Sequence, residues 1–91
     1  MIQSEIRDTV AFYRSRMTSH MIPKVGVTES STSVTRNAAL AHVHQMLDEV
    51  EEFVVNGQID KAQHWFGFVQ GVFWGANIFT LEEIKSHNHS S

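Results

Sequence analysis

Apolar residues recur along the first 21 positions at the spacing of one face of a helix. The residues in this stripe are Ile2, Ile6, Val10, Tyr13, Met17 and Met21. Steps of three and four residues keep side chains on one side of an α-helix, so the pattern predicts a helix from about Ser4 to about His20. Pro23 cannot continue a helix and is expected to stop this one, within an N-terminal segment of residues 1–22.

The apolar periodicity disappears after Pro23. Six of the eight residues from 28 to 35 are Ser or Thr, and Gly26 precedes them, so residues 23–34 are predicted to form a polar loop. One interpretation is a flexible linker. The other is a phosphate site, in which Lys24, Thr35 and Arg36 bind the anion beside the start of the next helix and Tyr13 stacks on the ligand.

A second helix is predicted from about Thr35 to Val55. Its apolar residues alternate in steps of four and three and are Ala39, Val43, Met46, Val50 and Phe53. Gly57 is expected to supply a left-handed helix end, and Asp60, with Gln63 three residues later, is expected to cap a third helix over about 60–76. Because only a few residues separate the two helices, they must form an antiparallel hairpin over 35–79.

The sequence TLEE predicts a short last helix over 80–88. Thr80 and Glu83 have the spacing of a capping box, in which each side chain bonds the other residue's backbone N–H. The tail NHSS is expected to fray, with His87 and His89 at the surface. The predicted fold is therefore a single all-α domain of residues 1–91, in which an N-terminal helix, an antiparallel helical hairpin and a short C-terminal helix follow one another.

The third helix contains the unusual stretch HWFGFVQGVFWGANIF, residues 64–79, which is apolar on nearly every side. It is shorter than the roughly 20 apolar residues of a membrane span and is interrupted by Gln70 and Asn77, so we expect no membrane insertion. One neighbouring helix cannot cover all its sides, which predicts a homo-oligomer. The expected interface anchors are Trp65, Phe68, Phe73 and Trp74, with Gln70 as an orienting hydrogen-bonding group.

Gly67, Gly71 and Gly75 form a stripe along this helix at four-residue spacing. A glycine inside a helix costs up to about 1 kcal/mol relative to alanine, so three of them suggest that something approaches the helix closely. Two interpretations remain open at this stage. The stripe lies either in a tight contact within the hairpin or in a groove that receives another molecule.

Charge is distributed unevenly along the chain. Residues 1–36 carry a net charge of +2 and residues 37–91 a net charge of −5, so the two parts can attract each other within one chain or between copies. Glu51 and Glu52 belong to an acidic cluster at the end of the second helix. Either this cluster pairs with cationic side chains of the same chain, or it steers a partner by its charge. This acidity also speaks against nucleic-acid binding.

The histidines suggest a metal site only weakly. His44 and Asp48 have i, i+4 spacing, and the hairpin could bring His64 near Glu51 or Glu52. A metal-dependent hydrolase that uses His44, Asp48 and His64 is therefore a third interpretation. No spacing establishes a catalytic acid or base, so we expect a protein that is not an enzyme and that has no cofactor and no bound metal. The N-terminus lacks the basic leader and apolar block of a signal peptide, and a cytoplasmic location is expected.

The stretches KAQHWFGFVQGVFW and TLEEIKSHN resemble a set of small accessory proteins of tailed bacteriophages. The resemblance covers about residues 38–88. Its motif, Trp-x-Gly-Phe-x-Gln-Gly-x-x-Trp, falls on Trp65, Gly67, Phe68, Gln70, Gly71 and Trp74. It implies a phage protein in the host cytoplasm that binds a host protein and thereby counters a host defence. The alternative that it implies is a homo-oligomeric sponge for a cyclic nucleotide.

Overall fold

The computed structural model describes residues 3–25 and 35–88 of the chain. These residues form four helices: α1 (Gln3–Ser19), α2 (Arg36–Val55), α3 (Ile59–Gly75) and α4 (Leu81–His87). The predicted all-α fold is confirmed. Ile2, residues 26–34 of the predicted polar loop and His89 lie outside the described residues.

The first three helices form an up-down-up bundle with α2 in the middle. Near the start of α1, the Gln3 side chain donates to the carbonyl of Val54 at 3.1 Å, whereas after its end Val25 N donates to the carbonyl of Ala41 at 3.2 Å. Helix α1 therefore runs antiparallel to α2. The short turn at 56–58 folds α3 back against the other side of α2, as the hairpin prediction required.

The core lies between these three helices. Helix α1 contributes Ile6, Val10, Tyr13 and Met17, all fully buried. In α2 the predicted residues Val43, Met46 and Val50 are buried, and so are Leu40, Leu47 and Val54, which the predicted seam did not include. The extra buried positions follow from the position of α2, because a helix packed on two sides needs a wider apolar face than one hairpin seam provides.

Two predicted helix ends are confirmed and two are wrong. Gly57 has a left-handed φ of 77°, and Thr80 and Glu83 form both hydrogen bonds of the capping box. Pro23 does not end α1, because the helix already stops at Ser19. Asp60 does not cap α3 but lies in its first turn, while Gln58 occupies the cap position and makes no side-chain capping bond.

One member of the predicted apolar stripe of α1 is exposed. Met21 lies beyond the end of the helix at a left-handed φ of 59°, and its side chain is 90% exposed. The reversal of the chain after Ser19 carries this position off the buried face. Within the described part of the chain, no helix is long and apolar enough to cross a membrane.

Candidate functional site

Helix α3 is divided into a buried half and an exposed half. The buried side chains of the helix are Ala62, Phe66, Val69, Gln70 and Phe73, and Ala76 at its C-cap is buried as well. At about 100° per residue, the three glycines fall close together in the middle of the opposite half. Phe68 lies to one side of them and Trp74 to the other, and we call the exposed set Gly67, Phe68, Gly71, Trp74 and Gly75 the glycine face.

Among residues 3–25 and 35–88, nothing packs on the glycines of the glycine face. A Cβ atom built on Gly67, Gly71 or Gly75 would have no other atom within 4 Å among those that could obstruct it. The interpretation of the stripe as a tight contact within the hairpin is therefore wrong, because α2 and α1 cover the other half of the helix. No helix of the described residues packs on the glycines, so the four helices give them no packing role.

The glycine face is also apolar and free of charge. No Asp, Glu, Lys or Arg occurs from Ala62 to Leu81. Phe68 is 49% exposed and Trp74 is 54% exposed. The exposed side of a surface helix usually carries charged residues, so rings and glycines without charges are typical of a surface that another molecule covers.

Two of the predicted interface anchors, Phe73 and Trp65, and the orienting residue Gln70 do not belong to the glycine face. Phe73 is fully buried and Gln70 is 5% exposed, so both belong to the core of the chain and not to its surface. Trp65 is partly buried and packs against that core. The physical reason is the helical position of Phe73 and Gln70, which places both on the side that faces the other helices.

A polar cluster, buried at Tyr13 and Gln70 and exposed at Asn88, joins α1, α3 and the end of α4. Gln70 Nε2 donates to the hydroxyl of Tyr13 at 2.9 Å and to Asn88 Oδ1 at 2.7 Å, and Asn88 Nδ2 donates back to Gln70 Oε1 at 3.0 Å. The Tyr13 hydroxyl lies 2.9 Å from His87 Nδ1. Burial raises the pKa of Tyr13 to about 12, although the hydrogen bond from Gln70 acts in the opposite direction.

The four residues of the predicted phosphate site do not converge. Tyr13 is buried in the core and cannot stack on a ligand there. The Thr35 hydroxyl accepts from Ala38 N as the cap of α2, and Arg36 Nε donates to the carbonyl of Ala76 at 2.9 Å.

The ammonium group of Lys24 lies far along α2 from Thr35 and Arg36, next to Asp48. It lies 3.1 Å from Asp48 Oδ2, and Asp48 is 12 residues after Arg36, or about 18 Å along the helix. A groove of about 490 Å³ at the start of α2 is lined by Arg36 and His20, and neither Tyr13, Lys24 nor Thr35 lines it.

Asp48 and Glu51 of the acidic cluster of α2 form ion pairs with cationic side chains of the same chain. Arg14 Nη2 lies 2.8 Å from Asp48 Oδ1 and 3.2 Å from Glu51 Oε1. The hydrogen bond from Arg14 lowers the pKa of Glu51, and hydrogen bonds from Lys24 and Arg14 lower the pKa of Asp48 despite the opposing effect of its burial. Glu52 is exposed.

The histidines occupy separate environments. Buried His44 places Nδ1 2.8 Å from the carbonyl of Ile22, and exposed His64 packs edge-on against the ring of Trp65. Within residues 3–25 and 35–88, no group of three or more His, Asp or Glu side chains could hold a metal ion. His87 is half-buried, which corrects its predicted surface position.

Comparison with known proteins adds no family to this picture. No protein-family model, no curated protein and no solved structure matches the chain. The resemblance to phage accessory proteins therefore stays a prediction. The glycine face and the polar cluster are defined by geometry alone. Sequence reasoning found the glycine face by its spacing, but no local signal in the C-terminal tail indicates that His87 and Asn88 contact residues 18 to 74 positions earlier.

Proposed function

We propose that this chain is a non-enzymatic binding protein that docks a helix on the glycine face of α3, and that the helix is supplied by a second copy of the chain. The observation that carries the proposal is the open row of three glycines between two half-exposed aromatic rings. Each glycine lowers the stability of an isolated helix, and no described residue fills the room above it. A second helix that approaches closely would use that room and cover the rings.

The arrangement of the glycine face favours a twofold-symmetric partner. Counting outward from Gly71, glycines occur four residues away on both sides, at Gly67 and Gly75, and aromatic residues occur three residues away, at Phe68 and Trp74. Two copies crossing antiparallel at Gly71 would place Phe68 of one copy beside Trp74 of the other. Such a contact is self-complementary, as a closed dimer requires, and it allows the two backbones to approach closely.

The wider role follows from the resemblance to phage accessory proteins. In this role the protein binds a host protein and counters a host defence, with exposed carboxylates such as Glu52 steering a basic partner. The dimer would then be the form that presents those carboxylates. The nucleotide sponge has less support, because Arg36, Thr35 and Lys24 of its predicted phosphate site are engaged in separate intrachain contacts.

Light scattering during size-exclusion chromatography tests the self-association. At micromolar concentration the protein should elute as a dimer of the 10.3 kDa chain. Gly71→Leu should shift it to monomer, because the leucine side chain holds the two helices apart. The same substitution should not disturb the monomer, since the position is open and leucine is the better helix former.

Gln45→Leu is the matched control, because it places the same side chain on an exposed position of α2. It should leave the dimer intact. A folded monomer at every concentration would rule out the second copy as the occupant. A wild-type monomer that binds a host protein, with that binding abolished by Gly71→Leu, would reassign the glycine face to a different partner. A dimer that survives Gly71→Leu would show that the two copies meet at another surface.

A further inference from the structure

The imidazole of His87 lies where α4 meets α1. Its ring centre is 4.9 Å from that of Phe79, 5.4 Å from that of Phe12 and 5.5 Å from that of Tyr13, in each case in an edge-on arrangement. Its Nδ1 atom lies 2.9 Å from the Tyr13 hydroxyl oxygen. Helix α4 has seven residues and Ile84 is its only buried one, so this contact is a large part of what holds it to the bundle.

The hydrogen bonds around Tyr13 favour one tautomer of the His87 ring. Gln70 Nε2 can only donate, so the Tyr13 oxygen accepts from it and its own hydroxyl hydrogen remains to be donated. The acceptor in reach is His87 Nδ1. An imidazole nitrogen that accepts a hydrogen bond carries no proton, so the arrangement in which Tyr13 donates to Nδ1 requires a neutral His87 with its proton on Nε2.

We infer that His87 is an acid-sensitive latch, and that protonation of its Nδ1 atom releases α4 from α1 and α3. Once Nδ1 carries a proton it becomes a donor aimed at the Tyr13 hydroxyl, whose own hydrogen then loses its acceptor inside the core. An unsatisfied buried donor and a half-buried positive charge both favour separation. Release of α4 would uncover Phe79 and the Tyr13 ring and would separate Asn88 from Gln70.

The charged groups around His87 decide the direction of its pKa. Arg16 of α1 lies with its guanidinium carbon 4.8 Å from the ring centre of Phe79 and opposes a second positive charge, while Glu83 of α4 favours it. From α3 the neutral Gln70 joins the cluster. Burial is the largest effect and, together with Arg16, lowers the pKa of His87 below its ordinary value of 6.5 despite Glu83.

The sign of the pH dependence follows from this lowered pKa. Undocked His87 binds a proton more readily than docked His87, so the docked state is fully stable above pH 6.5 and loses stability as the pH falls through the pKa of the docked residue. Between pH 6.5 and the pKa of docked His87, the ratio of released to docked α4 should rise up to about tenfold for each unit by which the pH falls. This inference does not depend on the proposed dimer, because neither His87 nor Tyr13 belongs to the glycine face.

Nuclear magnetic resonance of the full chain tests the latch. In the wild type at about pH 7.5, the nitrogen shifts of the His87 ring should show a proton on Nε2 and none on Nδ1. On titration toward about pH 5, the backbone amides of α4 should move to random-coil shifts together with the His87 titration, while those of α2 stay in place. A proton on Nδ1 at neutral pH, or an α4 that remains helical after His87 has titrated, would overturn the inference.

Two variants separate His87 from the other titrating groups. His87→Gln keeps an acceptor for the Tyr13 hydroxyl but has no proton to bind, so α4 should remain docked over the whole pH range. His44→Gln removes the buried histidine of α2, which contacts Ile22 and not α4, and should leave the acid release unchanged. Acid release that persists in His87→Gln, or that disappears in His44→Gln, would contradict the assignment. If His87→Gln keeps α4 undocked at every pH, the wild-type titration alone decides.

Discussion

Three residues with left-handed backbone show how single side chains set the helix ends. Met21, Gly57 and Asn77 have φ values of 59°, 77° and 62°. Each is followed by a residue whose backbone N–H returns to a carbonyl of the helix five residues earlier, at distances of 3.0, 2.8 and 2.9 Å respectively. Glycine adopts this conformation freely and asparagine tolerates it, whereas a side chain such as that of methionine costs about 1 kcal/mol there.

Met21→Gly should therefore stabilise the protein. The expected gain in the free energy of unfolding is about 0.5 kcal/mol, smaller than the relieved strain because glycine also gains freedom in the unfolded chain. The methionine side chain is 90% exposed, so little packing is lost. Urea unfolding at fixed protein concentration measures the change. Asn77→Gly is the control and should gain less, and an equal gain for both would show that strain at Met21 is not the cause.

Individual helices can be predicted from the sequence, but the packing between them cannot. The helices and the hairpin follow from local patterns, because a stripe such as Val10, Tyr13 and Met17 or a capping box such as Thr80 and Glu83 needs no information from other elements. The prediction that Pro23 ends α1 was wrong because the chain reverses earlier, at the left-handed residue Met21. Local rules that depend on spacing therefore predicted most of the fold.

The same rules could not tell which side of α3 is exposed. Rings occur all round this helix, so periodicity does not distinguish Phe73 from Trp74, although the first is buried and the second is half exposed. The packing of α2 and α1 against α3 makes that choice. The polar cluster was equally out of reach, since Tyr13 and His87 are 74 residues apart in the chain and meet only after the bundle has formed.

Gly67→Ala should separate the effect of the glycine stripe on the stability of the monomer from its effect on dimer formation. Because the added methyl group meets open space, the monomer should gain up to about 1 kcal/mol in the free energy of unfolding from helix propensity. If the glycine face is an interface, the same methyl group should weaken the dimer by holding the two helices apart. Chemical unfolding of the monomeric Gly71→Leu protein, with and without Gly67→Ala, measures the first effect, and sedimentation equilibrium of the Gly67→Ala protein measures the second. A stabilised monomer with an unchanged dimer would place the interface on another surface.

At the scale of the whole molecule, cations of the first part of the chain meet carboxylates of the second part within one copy. Arg14 pairs with Asp48 and Glu51, and Lys24 pairs with Asp48. These pairs are partly exposed and individually contribute little, but they link α1 and the segment after it to α2. The basic and acidic parts of the sequence thus attract each other within one copy of the chain. Association between copies does not require this attraction.

The salt dependence of self-association tests whether the glycine face or the charges hold two copies together. Salt screens exposed charges over about 10 Å at 0.1 M and far less at higher concentration, whereas contacts between apolar surfaces are hardly weakened. The residues from Ala62 to Leu81 carry no acidic or basic side chain except His64, so the dimer dissociation constant should change by less than about threefold between about 50 and 500 mM sodium chloride at pH 7.5. Sedimentation equilibrium at both concentrations measures it, and Trp74→Ala should weaken the dimer at both. A dimer that dissociates as salt is added, and that Trp74→Ala leaves intact, would assign the interface to the charged surfaces of α1 and α2.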